Sequence, residues 1–129
     1  MENLSKTDIL GMSLKVEELS IPEWGGRVVR VREMTGAERD KYEADLVLST
    51  GAKPADVLVN LRARLAVLTM VDKKGERLFT DEDAEKLGRQ SGAALERIAE
   101  VAERLSLLSK KSLEELAENS EPSPGEGSA

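Results

Sequence analysis

Two constellations in this 129-residue chain have residue types that could do chemistry. Asp81, Glu82 and Asp83 place three acids in succession, the ligand type that hard cations take. Their surroundings lack the twelve-residue loop of a calcium site, with its glycine at the sixth position and closing glutamate. Adjacent acids after Thr80 are better explained as a helix start, where carboxylates face the positive end of the helix dipole. Arg27, Arg30 and Arg32, joined by Arg62 and Arg64, could hold phosphate or an acidic partner. Glu17, Glu18 and Glu33 lie close enough in sequence to pair with them, and 25 acidic against 19 basic residues leave a net charge of -6. A solvated, ion-paired strand face is the reading, and no nucleic-acid partner is expected.

Gly25-Gly26 is too short to cradle a phosphate, because no glycine-rich loop runs from a strand into a Lys-Ser/Thr helix start. The chain has no histidine and no cysteine, which removes the commonest general base, the imidazole ligand and every thiol or thiolate site. No spacing of Ser and Lys singles out an activated nucleophile. The expectation is a protein that is not an enzyme and needs no cofactor and no metal. One Trp, one Tyr and one Phe leave an aliphatic core and no stacking platform for bases. The first residues carry no basic stretch followed by an apolar one, and no apolar run nears the ~20 residues of a membrane span. A soluble cytoplasmic protein with no membrane partner is expected.

The elements that must position these residues follow from periodicity. Residues through Gly11 read as a short polar segment, flexible or loosely helical. From Leu14 to Ile21 the apolar residues slip phase, which suggests a strand with a bulge or an irregular start. After the loop Pro22-Glu23-Trp24-Gly25-Gly26, the alternation of Arg27 to Arg32 makes a β-hairpin the natural reading. Symmetry about Trp24 sets Leu19 opposite Val29 and Glu18 opposite Arg30, with Val29 and Val31 on one face and Arg30 and Arg32 on the other. Trp24 itself has two readings, a lid folded over the core or an exposed partner anchor.

Thr35-Gly36-Ala37-Glu38 has capping-box spacing and opens a helix that runs past Leu46 and stops before Ser49. A second helix starts near Pro54 and covers 54–71, apolar on most of its circumference, as a central or partner-covered helix would be. After a polar turn at Gly75, Thr80 caps a short helix ending near Gly88, and Ser91 caps the next. There Leu95, Ile98, Ala102, Leu105 and Leu108 form one stripe. Ser112 opens a last turn or two, and residues 120–129 are expected to be disordered. The sum is an α+β fold, mainly α-helical: an N-terminal β-hairpin, about four to five helices, one domain over 1–119 and a disordered tail over 120–129.

Several of these segments, in order, resemble the tail assembly chaperone family of long-tailed bacteriophages (siphophages). Ile21-Pro22-Glu23-Trp24-Gly25-Gly26 with Val28 to Arg32 resembles its hairpin, and Met34-Thr35-Gly36-Ala37-Glu38-Arg39-Asp40 the helix start that follows. Val71-Asp72, Gly75 to Asp83 and Leu87-Gly88 resemble its central turn and short helix, so the likeness spans about residues 5–119. The resemblance implies a chaperone that binds the tape measure protein, keeps it soluble and helps recruit tail tube subunits. It also implies self-association, action in the host cell cytoplasm, absence from the mature virion and, in many phages, a longer frameshifted form. Partner-binding residues are expected at Trp24, Val59, Ala63, Val67 and Met70, burying apolar helix faces of the client; the same apolar surplus could be core. Two other classes stay open: a structural tail or connector component, and a small nucleic-acid-binding regulator.

Overall fold

The protein, described by a computed structural model over residues 2–48 and 60–108, is built around its Val/Arg alternation. Strands β1 (Val16–Ile21) and β2 (Arg27–Arg32) pair antiparallel in the expected register, with Glu18 opposite Arg30 and Leu19 opposite Val29. The six pairs are consecutive, so the expected bulge is absent. Apolar residues on both phases arise because Leu14 and Val16 stay exposed while Leu19 and Ile21 turn inward. A single 3₁₀ turn, Pro22–Trp24, joins the strands, and Gly25 and Gly26 follow at φ 71 and 73, where a side chain would be strained.

Helix α1 (Lys6–Leu10) precedes the sheet, α2 (Gly36–Leu48) follows it, and α3 (Leu61–Thr69) forms the central helix. The expected 54–60 start of the second helix falls largely outside the described residues. Its end differs from expectation: α3 stops at Thr69, and Met70–Val71 form a third strand, β3, opposite Val31 and Arg30. The turn after β3 closes with Gly75 at φ 85. A 3₁₀ turn (Asp81–Asp83) leads into α4 (Ala84–Leu87), and α5 (Gly92–Leu105) completes the described chain. The capping boxes at Thr35–Glu38 and Thr80–Asp83 and the Ser91 cap all form. The expected turns from Ser112 and the tail at 120–129 lie outside the described residues.

The core is aliphatic, as a chain nearly free of aromatics requires. One cluster gathers Ile21, Val31, Val67, Leu95 and Ile98 with their neighbours, each fully buried Ile or Leu contributing ~2 kcal/mol. A second joins Met34, Tyr42, Leu46, Leu65, Ala99 and Leu108. The buried Ser106, capping α5, binds both sides of that junction: its hydroxyl accepts from the Met34 amide and its carbonyl from Arg39. Beyond it Leu107 takes φ 57 and the Leu108 amide bonds back to Glu103, a Schellman closure with leucine where glycine is usual. Gly88 lies close under the Asn60 side chain, which would have to turn aside to admit a Cβ there.

Candidate partner-binding surface

The hairpin turn that carries Trp24 is clamped to α5. Glu23 accepts from Arg97 at 2.8 and 3.1 Å, and that guanidinium holds the Glu23 carboxyl below the usual range. Trp24 is half-buried and packs on the first core cluster, which is the lid arrangement of its two readings. Ala63, Val67 and Met70 are brought to that same cluster, at no more than 2% exposure, so in this conformation they close the chain's own core. The helix is apolar on most sides because α5, α4 and β2 surround it. Val59 lies outside the described residues.

Several of the arginines meet carboxylates at the surface, and one is buried. Arg30 pairs with Glu18 at 2.7 Å, Arg62 with Glu96, and Arg104 with Glu17 at 2.5 Å. Strand alternation places Arg32 outward beside Arg30, yet it is only 8% exposed. Both its terminal nitrogens donate to the Glu38 carboxylate, at 2.7 and 2.9 Å. Burial pushes the Glu38 carboxyl up, but Arg32 and the Thr35 amide outweigh it and hold the carboxyl below its usual range. Asp81 accepts from Arg77 and Lys41, in that order of influence, and is likewise lowered. Asp83 caps the Thr80 amide. These groups are therefore engaged in structural contacts.

A cleft of about 180 Å³ opens between α2 and α3, with Tyr42, Val67, Leu68 and Ala84 among its walls and the Lys41–Asp81 pair at its side. The Tyr42 hydroxyl is buried and, among the described residues, has no hydrogen-bond partner. Burial, then the nearby Glu103, pushes the phenol above its usual range.

Most of the apolar surface that remains open among the described residues lies at the N-terminus. Among the described residues, Leu4, Ile9, Leu10, Met12, Leu14 and Val16 supply six of the nine exposed large hydrophobics, and α1 buries none of its residues. Helix α1 is nevertheless locally defined. The Ser5 hydroxyl accepts from the Asp8 amide at 3.1 Å, and the Asp8 carboxylate accepts from the Ser5 amide at 2.9 Å. Leu4 and Ile9 stand at the positions of a hydrophobic staple across that box. Polar neighbours hide this arm in the sequence; the Ser5-Lys6-Thr7-Asp8 spacing was the signal that could have revealed it.

The family model described as phage tail assembly chaperone matches residues 11–120. No curated protein matches. Among solved structures, the tail assembly chaperone of bacteriophage HK97 shares the fold, with a TM-score of 0.60 and 21% identity. That match covers 78% of this chain and 98% of the HK97 chain. Among the described residues, no helix is long and apolar enough to cross a membrane. The family is one of chaperones rather than enzymes, its members act with protein partners in tail assembly, and that assembly takes place in the host cell. With most of its length inside the family match, the chain belongs to the phage tail assembly chaperone family.

Proposed function

We propose that this chaperone binds the tape measure protein in the host cytoplasm, covering apolar helical segments with its N-terminal arm. One observation carries the reading: large aliphatic side chains concentrate on residues 4–16, on an arm with its own cap and no buried residue in α1. Contiguous exposed apolar surface of this kind marks interaction sites. Aliphatic anchors are what an apolar helix face needs for burial. The closed core removes Ala63, Val67 and Met70 from that role unless the body opens, and Trp24 acts as a lid. A net charge of -6 keeps the complex with an apolar client dispersed.

In this reading the chaperone also helps recruit tail tube subunits, self-associates, and is absent from the finished particle. Co-expression with the neighbouring tape measure gene tests it. A soluble tape measure protein that co-purifies with the chaperone is expected. An insoluble tape measure protein with no complex overturns the proposal.

A further inference from the structure

Helix α5 ends in a turn that strains the residue occupying it. Leu107 takes φ 57, the left-handed region where a Cβ crowds the following carbonyl. It is also 80% exposed, more than any other large hydrophobic among the described residues. The turn itself serves folding. It brings Leu108, 4% exposed, back into the second core cluster, and the Leu108 amide bonds to the Glu103 carbonyl at 2.7 Å. Glycine or asparagine would make the same turn with less strain, and neither would hold an aliphatic side chain in water. Folding therefore explains the turn and leaves the leucine unexplained. Bonded neighbours fix where that leucine stands. Ser106 accepts from the Met34 amide at 3.0 Å, and the adjoining Glu33 amide donates to the Lys15 carbonyl at 2.9 Å. One turn back in α5, Arg104 donates to Glu17. Leu107 thus sits at the end of the body where the N-terminal arm departs, with exposed Leu14 and Val16 flanking that bonded Lys15.

We infer that Leu107 is a second anchor for the apolar helix that the arm covers, set on the packed body rather than on the arm. The inference rests on the client reading proposed above and adds to it a residue outside the arm. Backbone strain that persists at an exposed position points to a use for the side chain that folding does not require. The occupant follows from shared chemistry. Leu107 and the arm's Leu4, Ile9 and Leu10 are all aliphatic and all exposed, so one aliphatic helix face suits both. An anchor bonded into the body also fixes where that helix lies, which a locally ordered arm alone does not. The client segment is therefore an apolar helix long enough to meet arm and body together.

The full-length parent and three variants at Leu107, each co-expressed with the tape measure protein, supply the test. Leu107→Gly and Leu107→Asn keep the left-handed turn and remove the aliphatic group, whereas Leu107→Met keeps an apolar side chain there. Purified alone, Leu107→Gly should melt about 4 °C above the parent, and Leu107→Met with it. Serial dilution of the co-purified complexes reads the binding. The Gly and Asn variants should reach half-dissociation at a concentration roughly ten- to hundredfold above the parent's, as uncovering one leucine implies. Leu107→Met should match the parent. A Leu107→Gly variant that melts higher yet holds the tape measure protein like the parent overturns the inference and leaves the arm's role standing. One that melts lower shows that the chain's own residues beyond 108 cover the leucine, and overturns it as well. A parent that leaves the tape measure protein insoluble overturns the client reading, and this inference with it.

Discussion

Ser5 with Asp8 and Thr35 with Glu38 close the same capping box at two helix starts, and the two boxes differ in what stands behind them. Behind Glu38 lies the buried Arg32 fork, tying the α2 start to strand β2. Asp8 has no such partner behind it among the described residues, and α1 buries nothing there. The body therefore holds its cap as part of a packed unit, whereas the arm holds its cap as local order on a surface left open. A capping signature in sequence specifies a helix start; burial decides how much of the chain's stability depends on it.

The largest expected effect comes from the two isoleucines that mark these regions. Ile98→Ala empties a fully buried core position and should cost about 3 kcal/mol in urea unfolding. Ile9→Ala, at a residue 56% exposed, should leave the unfolding midpoint unchanged. A matching loss at Ile9 would show that the arm packs on the body.

Next in size are the two boxes. Glu38→Ala takes the carboxylate from the Arg32 guanidinium, which keeps its bond to the Glu33 carbonyl, and should cost roughly 2–3 kcal/mol, toward the low end for a broken buried pair because Glu38 is partly exposed. Asp8→Ala should fray α1 without moving the global melt, as amide exchange at Asp8 and Ile9 would register. The Glu38 carboxyl is lowered in the folded state, so its contribution is present above the usual glutamate range and is lost as pH falls through the folded value. The parent should therefore lose stability with acidification more steeply than Glu38→Gln does. Parallel pH profiles would remove Glu38 from the linkage.

The smallest effects are expected gains. Leu107→Gly relieves a left-handed leucine that is 80% exposed, and should raise stability by about 1 kcal/mol. Tyr42→Phe removes a buried hydroxyl with no partner among the described residues and should be neutral or stabilising by up to ~1 kcal/mol.

The hairpin register was legible because Pro22 to Gly26 fix the turn and the charged and apolar pairs fit one alignment only. The α5 stripe and the caps were legible for the same reason: local chemistry and period agreed. Strand β3 was hidden because Met70 and Val71 continue the helical apolar period, and only pairing with Arg30 and Val31 turns them into strand. Arg32 was hidden because period-two alternation assigns it to water, and the Glu38 carboxylate that covers it comes from the next helix. The inward fate of Ala63, Val67 and Met70 follows from neighbours distant in sequence. A helix apolar all round looks the same whether its own chain or a partner surrounds it.

The division between a closed body and an open arm is tested most directly by the triple change Leu4→Ser, Ile9→Ser and Leu10→Ser, co-expressed with the tape measure protein. The expected result is a chaperone with an unchanged melting temperature that no longer co-purifies with the tape measure protein or keeps it soluble. A triple variant that retains the full complex would contradict the assignment of client binding to the arm.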